Sequence, residues 1–112
     1  MNIIDLTFLR GFTKNDPERM KKYIGMFLQH APVMMQNIEK AYIEKNWSAL
    51  KSSAHSLKPQ ITYMGIKSGE DLIRTIENNG AASIEHGTNE LISQLKSILD
   101  EAYPELKKEI GG

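Results

Sequence analysis

The segment Asn46–Gly65, NWSALKSSAHSLKPQITYMG, repeats its apolar residues at steps of three and four: Leu50, Ala54, Leu57, Ile61 and Met64. That spacing lines one face of an α-helix, expected from about Trp47 to Met64 with Gly65 as its stop. Two residues do not fit a simple helix. His55 stands off the apolar stripe, and Pro59 falls in the middle of the segment.

Working outward, Asn15-Asp16-Pro17 reads as an Asx cap followed by proline at a first helical position. From Met20 through Tyr23, Phe27, Ala31, Met35 and Ile38 to Tyr42, the apolar residues then hold one stripe. Pro32 interrupts this stretch without shifting the stripe, so one long kinked helix or two nearly collinear ones are expected, ending around Asn46. Downstream, Ser68-Gly69-Glu70-Asp71 resembles a capping box and opens a short helix that Asn78-Asn79-Gly80 should end. A last helix runs from near Thr88 to Tyr103, with a bend expected at Pro104. Leu6, Phe8, Leu9 and Phe12 suggest a short N-terminal helix that caps the bundle.

No stretch alternates with period two for long enough to build a sheet. The expected fold is therefore all-α, a four-helix-bundle-like antiparallel domain with a short N-terminal capping helix. With 112 residues, the chain suits one domain over 1–112, its core at about 4–106, and a monomer is the default for one core.

Composition excludes several function classes. Lys plus Arg and Asp plus Glu both number 14, so the net charge is zero and no field of one sign draws the chain to nucleic acid or an anionic membrane. Cysteine is absent, which removes disulfides, thiolate catalysis and Cys-based metal sites. No apolar run approaches the ~18 residues of a membrane span, and the N-terminus lacks the pattern of a signal peptide. A cytoplasmic location follows by default, and the sequon Asn46-Trp47-Ser48 then has no meaning.

His55 points about 145° from the centre of the stripe, toward solvent. Ser48, Lys51, Ser52, Lys58, Pro59 and Thr62 share its direction, and none is a carboxylate. A hydrolytic triad needs a nucleophile beside the imidazole and an acid to orient it, and general-base work leans on the same support. No local acid stands on this face. His30, His55 and His86 are scattered, and no Glu-x-x-His pair occurs, which disfavours a metal bundle; His30 and His86 read as surface or satisfied histidines.

These surroundings suit phosphorylation. A histidine of ordinary pKa, about 6.5, is mostly neutral at pH 7 and hence nucleophilic. Lys58, one turn on, can offset the charge of incoming phosphoryl oxygens. Pro59 at i+4 places no long side chain near the ring. It also removes an amide donor to the His55 carbonyl, so a local kink is expected.

Taken together, AHSLKP (54–59) and YMGI (63–66) resemble the histidine phosphotransfer domain, whose signature is Ala-His-x-Leu-Lys-Gly with a further glycine ten residues after the histidine. Ala54, His55, Leu57, Lys58 and Gly65 fall on that pattern, and the order of elements is similar over nearly the whole chain. One departure is Pro59, where the family carries glycine. The segment is also somewhat similar to the phosphoacceptor helix of sensor histidine kinases, but Ser56 stands where an acid is usual, and 112 residues leave no room for an ATP-binding domain.

The resemblance implies a phosphorelay intermediate. His55 would accept a phosphoryl group from an aspartyl phosphate on one receiver domain and pass it to another, without autonomous kinase activity. Response-regulator receiver domains, and a hybrid sensor histidine kinase, are the implied partners. The receiver would supply Mg²⁺, and no cofactor is expected on this chain. The alternative is a degenerate helical adaptor that binds receivers without transfer. Lys51, Ser52 and Thr62 beside His55 are docking candidates. So are Met26 and Val33, which lie about 140° to 180° off the core stripe of their helix. Met1 favours a free-standing chain over one cut from a larger kinase, and Gly111-Gly112 reads as an added tail or a linker.

Overall fold

Five helices account for the regular structure of residues 3–111, which the computed structural model describes: α1 (Thr7–Thr13), α2 (Pro17–Ile43), α3 (Trp47–Tyr63), α4 (Lys67–Ala82) and α5 (Thr88–Glu109). Among the described residues there is no strand, and no helix is long and apolar enough to cross a membrane. Met1 and Gly112, which bear on the chain-end expectations, lie outside the described residues.

Helices α2 to α5 form a closed ring in which each packs on its chain neighbour and α5 returns to α2. The 42 Å long axis matches α2, whose 27 residues at 1.5 Å each span about 40 Å. The interior takes up the stripes read from the sequence, Phe27, Ile38, Leu50, Leu57 and Ile61, together with Ile76 of α4 and Leu99 of α5, all essentially inaccessible to water. Burial of this row gives the bundle its main driving force. α1 lies against α2 and buries Leu9, while Phe8 and Phe12 remain about half exposed.

The caps explain most boundaries. The Asp16 side chain accepts from the Glu18 amide at 3.0 Å, with Pro17 at the first helical position. Asn46 accepts from the Ala49 amide at 3.2 Å and starts α3 directly after the turn that closes α2. Pro32, Pro59 and Pro104 all lie inside continuous helices. Of the two forms considered for the Pro32 stretch, the single helix is observed. Each proline removes one amide donor, and packing of the residues on both sides, Ala31 and Met35 or Leu57 and Ile61, holds the helix through it.

α4 departs from expectation at both ends. Ser68-Gly69-Glu70-Asp71 does not cap it: the helix starts at Lys67 with no side-chain cap, because the buried Ile66 anchors the turn earlier. Nor does Asn78-Asn79-Gly80 end it, and with 16 residues the helix is not short. Gly80 continues the helix and is buried against α3, where an added Cβ would stand 2.8 Å from the Lys51 backbone nitrogen. Glycine's poor helix propensity, about 1 kcal/mol, is offset by this close approach. The chain leaves α4 only at Ser83, in the left-handed region at φ 56°.

Gly65 meets the expectation of a stop and does more. Its φ is +65°, and a side chain there would overlap the Asp5 carbonyl. The Asp5 amide in turn donates to the Met64 carbonyl at 3.3 Å. The glycine therefore both turns the chain between α3 and α4 and seats the segment that leads into α1.

Candidate functional site

His55 lies on the outer face of α3 with 69% of its side chain exposed, on the side opposite Leu50, Leu57 and Ile61. The outward orientation expected from helical periodicity is observed. What α3 alone does not reveal is its neighbour on α4. Close packing at Lys51 and Gly80, and again at Ile61 and Gly69, sets α3 and α4 in antiparallel register. Between those two contacts, Glu77 of α4 comes opposite His55.

Glu77 Oε2 lies 2.8 Å from His55 Nδ1, and Glu77 Oε1 lies 2.6 Å from Lys58 Nζ. The expectation that His55 has no acid beside it is thus corrected: the acid comes from the next helix, 22 residues away in sequence. Glu77 is only 13% exposed, whereas Lys58 is 37% exposed. The Lys58 ammonium is the ion-pair partner of the buried Oε1. Lys58 first, and His55 after it, keep the Glu77 carboxyl below the usual glutamate range, against the opposing effect of burial.

An ionised carboxylate can only accept. Nδ1 of a neutral His55 must then be the protonated nitrogen, and Nε2 carries the free lone pair. Glu77 therefore fixes both the tautomer and the ring orientation, as acids do for functional histidines generally. Phosphoryl chemistry at Nε2 would put positive charge on the ring, and the same carboxylate lies where it stabilises that charge.

His55, Lys58, Pro59 and Thr62 line an open hollow of about 450 Å³ together with Tyr63, Glu70 and Arg74. The expected companions of His55 are thus partly assembled. Lys51 and Ser52 are exposed one turn earlier on α3 and do not line the hollow. Gly65 sits buried at the α3–α4 turn.

Tyr63 also borders a second concavity, an apolar groove of about 360 Å³ between α1, α2 and the end of α3. Phe8 stacks on Tyr63 at 5.6 Å, and Phe12 meets Tyr23 edge-on at 5.5 Å. Met26, 45% exposed, lines this groove; Val33, 54% exposed, stands outside it.

Glu77 and Arg74 were not legible as site residues from spacing on α3. A weak signal did exist: on α4, Glu77 projects only about 40° from the buried Ile73, an unusual place for an acid without a partner.

The family model for the Hpt domain matches residues 22–105, a span that holds His55, Lys58, Arg74 and Glu77 and leaves out α1. No curated protein and no solved structure matches the chain.

Proposed function

The chain belongs to the Hpt domain family, and from that premise we propose that it is a phosphorelay intermediate that carries a phosphoryl group on His55 between aspartates of receiver domains. Family membership gives a phosphotransfer-related role in two-component signalling. The observation that supports the finer reading is the geometry of His55: a solvent-facing imidazole whose Nδ1 is taken up by Glu77, which leaves the Nε2 lone pair free, with Lys58 lining the same hollow.

In the accepting step, Nε2 attacks the phosphorus of an aspartyl phosphate. The Nε2–P bond forms as the P–O bond to the aspartate breaks, and the carboxylate leaves on the receiver. The Nδ1 proton stays on the ring, which becomes an imidazolium hydrogen-bonded to Glu77. The passing step is the reverse, with a second aspartate displacing the ring nitrogen. Charge stabilisation and in-line positioning are the main catalytic needs of phosphoryl transfer, and two proteins can supply them jointly. Here the receiver brings the aspartate and Mg²⁺, while this chain brings the nucleophile, Glu77 and Lys58.

The receiver docks across Pro59, Thr62 and Tyr63 and onto the apolar groove that holds Met26, since Tyr63 joins the two concavities. Lys51 and Ser52, one turn before His55, and the exposed Val33 on α2 are further docking candidates. A contact of this kind falls in the range of transient signalling interfaces, at or below ~1,200 Å².

The test is transfer from a receiver labelled at its aspartate to the native chain and to His55→Gln. Acid-labile, alkali-stable label on the native chain alone is the expected result. Binding without transfer in the native chain would leave an adaptor instead.

A further inference from the structure

We propose that Arg74 is the second cation of the phosphoryl site: when His55 is phosphorylated, the guanidinium leaves Asp71 and binds the phosphoryl oxygens. The inference rests on the phosphoacceptor reading of His55.

Register places the residue. With Lys51 against Gly80, His55 against Glu77 and Ile61 against Gly69, position 74 of α4 falls opposite Leu57 and Lys58. Arg74 and Lys58 then stand on two walls of one hollow, with His55 at its edge. Arg74 is also one turn from Glu77 on the same helix, so it shares the face that meets the imidazole.

Charge supplies the need. In the unphosphorylated chain Lys58 is already engaged by Glu77 at 2.6 Å. A phosphoryl group adds about −1.5 to −2 charges at pH 7. The Lys58 ammonium and the imidazolium then face the carboxylate and a near-dianionic phosphoryl group, which leaves the seam short of up to about one positive charge, and the carboxylate is only 13% exposed and poorly screened by water. A further cation at the same level of the seam relieves that imbalance. Glu70, on the same wall, is the anion that competes for it.

Release of Arg74 costs little. Its Nη1 lies 2.6 Å from Asp71 Oδ1, but the two side chains are 58% and 90% exposed. Exposed pairs of this kind contribute little to stability. A phosphoryl group offers the planar guanidinium a two-oxygen acceptor, a stronger partner than an exposed aspartate. Asp71 therefore acts as a resting place for Arg74.

The experiment uses phosphoramidate, a small donor that needs no receiver docking: its P–N bond breaks, the Nε2–P bond forms and ammonia leaves. The midpoint of the phosphoryl group's second ionisation is then followed by ³¹P NMR in the native chain, Arg74→Gln, Arg74→Lys and Asp71→Asn. A cation at the phosphoryl oxygens favours the dianion and lowers this midpoint. Arg74→Gln should raise it by roughly 0.5 unit, Arg74→Lys should restore most of the native value, and Asp71→Asn should lower it. Opposite signs in Arg74→Gln and Asp71→Asn would not arise from a general disturbance of α4. Equal midpoints in the native chain and Arg74→Gln, with Lys58→Gln still shifted, overturn the inference while leaving His55 as phosphoacceptor. A native chain that takes up no phosphoryl group at His55 overturns the parent reading and this one with it.

Discussion

The α3–α4 seam around His55 and the groove between α1 and α2 share Tyr63 and differ in almost every other respect. The seam gathers charge: Lys58, Glu77, Glu70 and Arg74 stand around one imidazole. The groove gathers aromatic and sulfur-bearing side chains, Phe8, Phe12, Tyr23 and Met26, left half open to solvent. The Hpt match spans the seam but stops short of α1. In physical terms, phosphoryl transfer constrains charges to within hydrogen-bond reach, whereas recognition tolerates any apolar surface of the right shape. On the proposed function, chemistry belongs to the seam and docking to the groove.

Two glycines offer the largest test, because each holds one region together. Gly80→Val should force α4 away from the Lys51 backbone, with an overpacking cost of about 1–3 kcal/mol, and should pull Glu77 from His55. Gly65→Ala places a side chain at φ +65° against Asp5, at a cost of about 1–3 kcal/mol in backbone strain alone. The structure can relieve that clash by releasing the segment ahead of α1. Urea unfolding should show both losses. Amide exchange should separate them, with protection lost along the seam in the first variant and in α1 in the second. Identical exchange maps would dissolve the distinction between the regions.

Glu77→Gln sharpens the chemical half. Glutamine keeps the size but cannot carry the charge that stabilises an imidazolium. Phosphorylation by a small donor should slow by about tenfold, equivalent to ~1.4 kcal/mol of transition-state stabilisation, with receiver binding unchanged. An unaltered rate would remove Glu77 from the mechanism.

Phe12→Ala and Met26→Ala sharpen the other half. Each should raise the KM for a phosphorylated receiver by roughly 3–10-fold, the loss expected of a peripheral apolar contact, and should leave the small-donor rate at the native value. A fall in the small-donor rate would mean that the groove supports the seam structurally.

The two regions were also unequally legible in the sequence. The stripe of Leu50, Leu57 and Ile61 set both the helix and the direction of His55, because periodicity is a local property of the chain. Met26 stood out for the same reason. Glu77 did not, since its pairing with His55 depends on how closely two helices approach. That approach is set by Gly80, which in isolation reads as a helix end. Propensity marked Asn78-Asn79-Gly80 as a stop, and tertiary packing overrode it. The cap at Ser68 failed similarly: Ile66 is buried completely, and burying it starts α4 before the polar residues can act as caps.

The smallest expected effect follows from the lowered pKa of Glu77. Lys58 is the main cause and His55 a lesser one, and neither contact survives unfolding. A carboxyl whose pKa is lower in the folded chain binds fewer protons there than in the unfolded chain. Its stabilising contribution is therefore complete above the ordinary glutamate range and is lost as pH falls through the folded-state value. Comparison of native and Glu77→Gln urea midpoints between pH 7 and pH 3 isolates this group from the other carboxyls. Asp5 is the main one to cancel, since its pKa is likewise lowered, chiefly by the Thr7 hydroxyl and amide. The native advantage should hold near neutrality and shrink toward the acid end. Because Lys58 is partly open to solvent, added salt should also reduce that advantage at neutral pH. A native advantage that stays constant down to pH 3 would mean that Glu77 stabilises the seam by packing and not by charge. The charge-based account of how the acid serves His55 would then lose its support, while the apolar groove would be untouched.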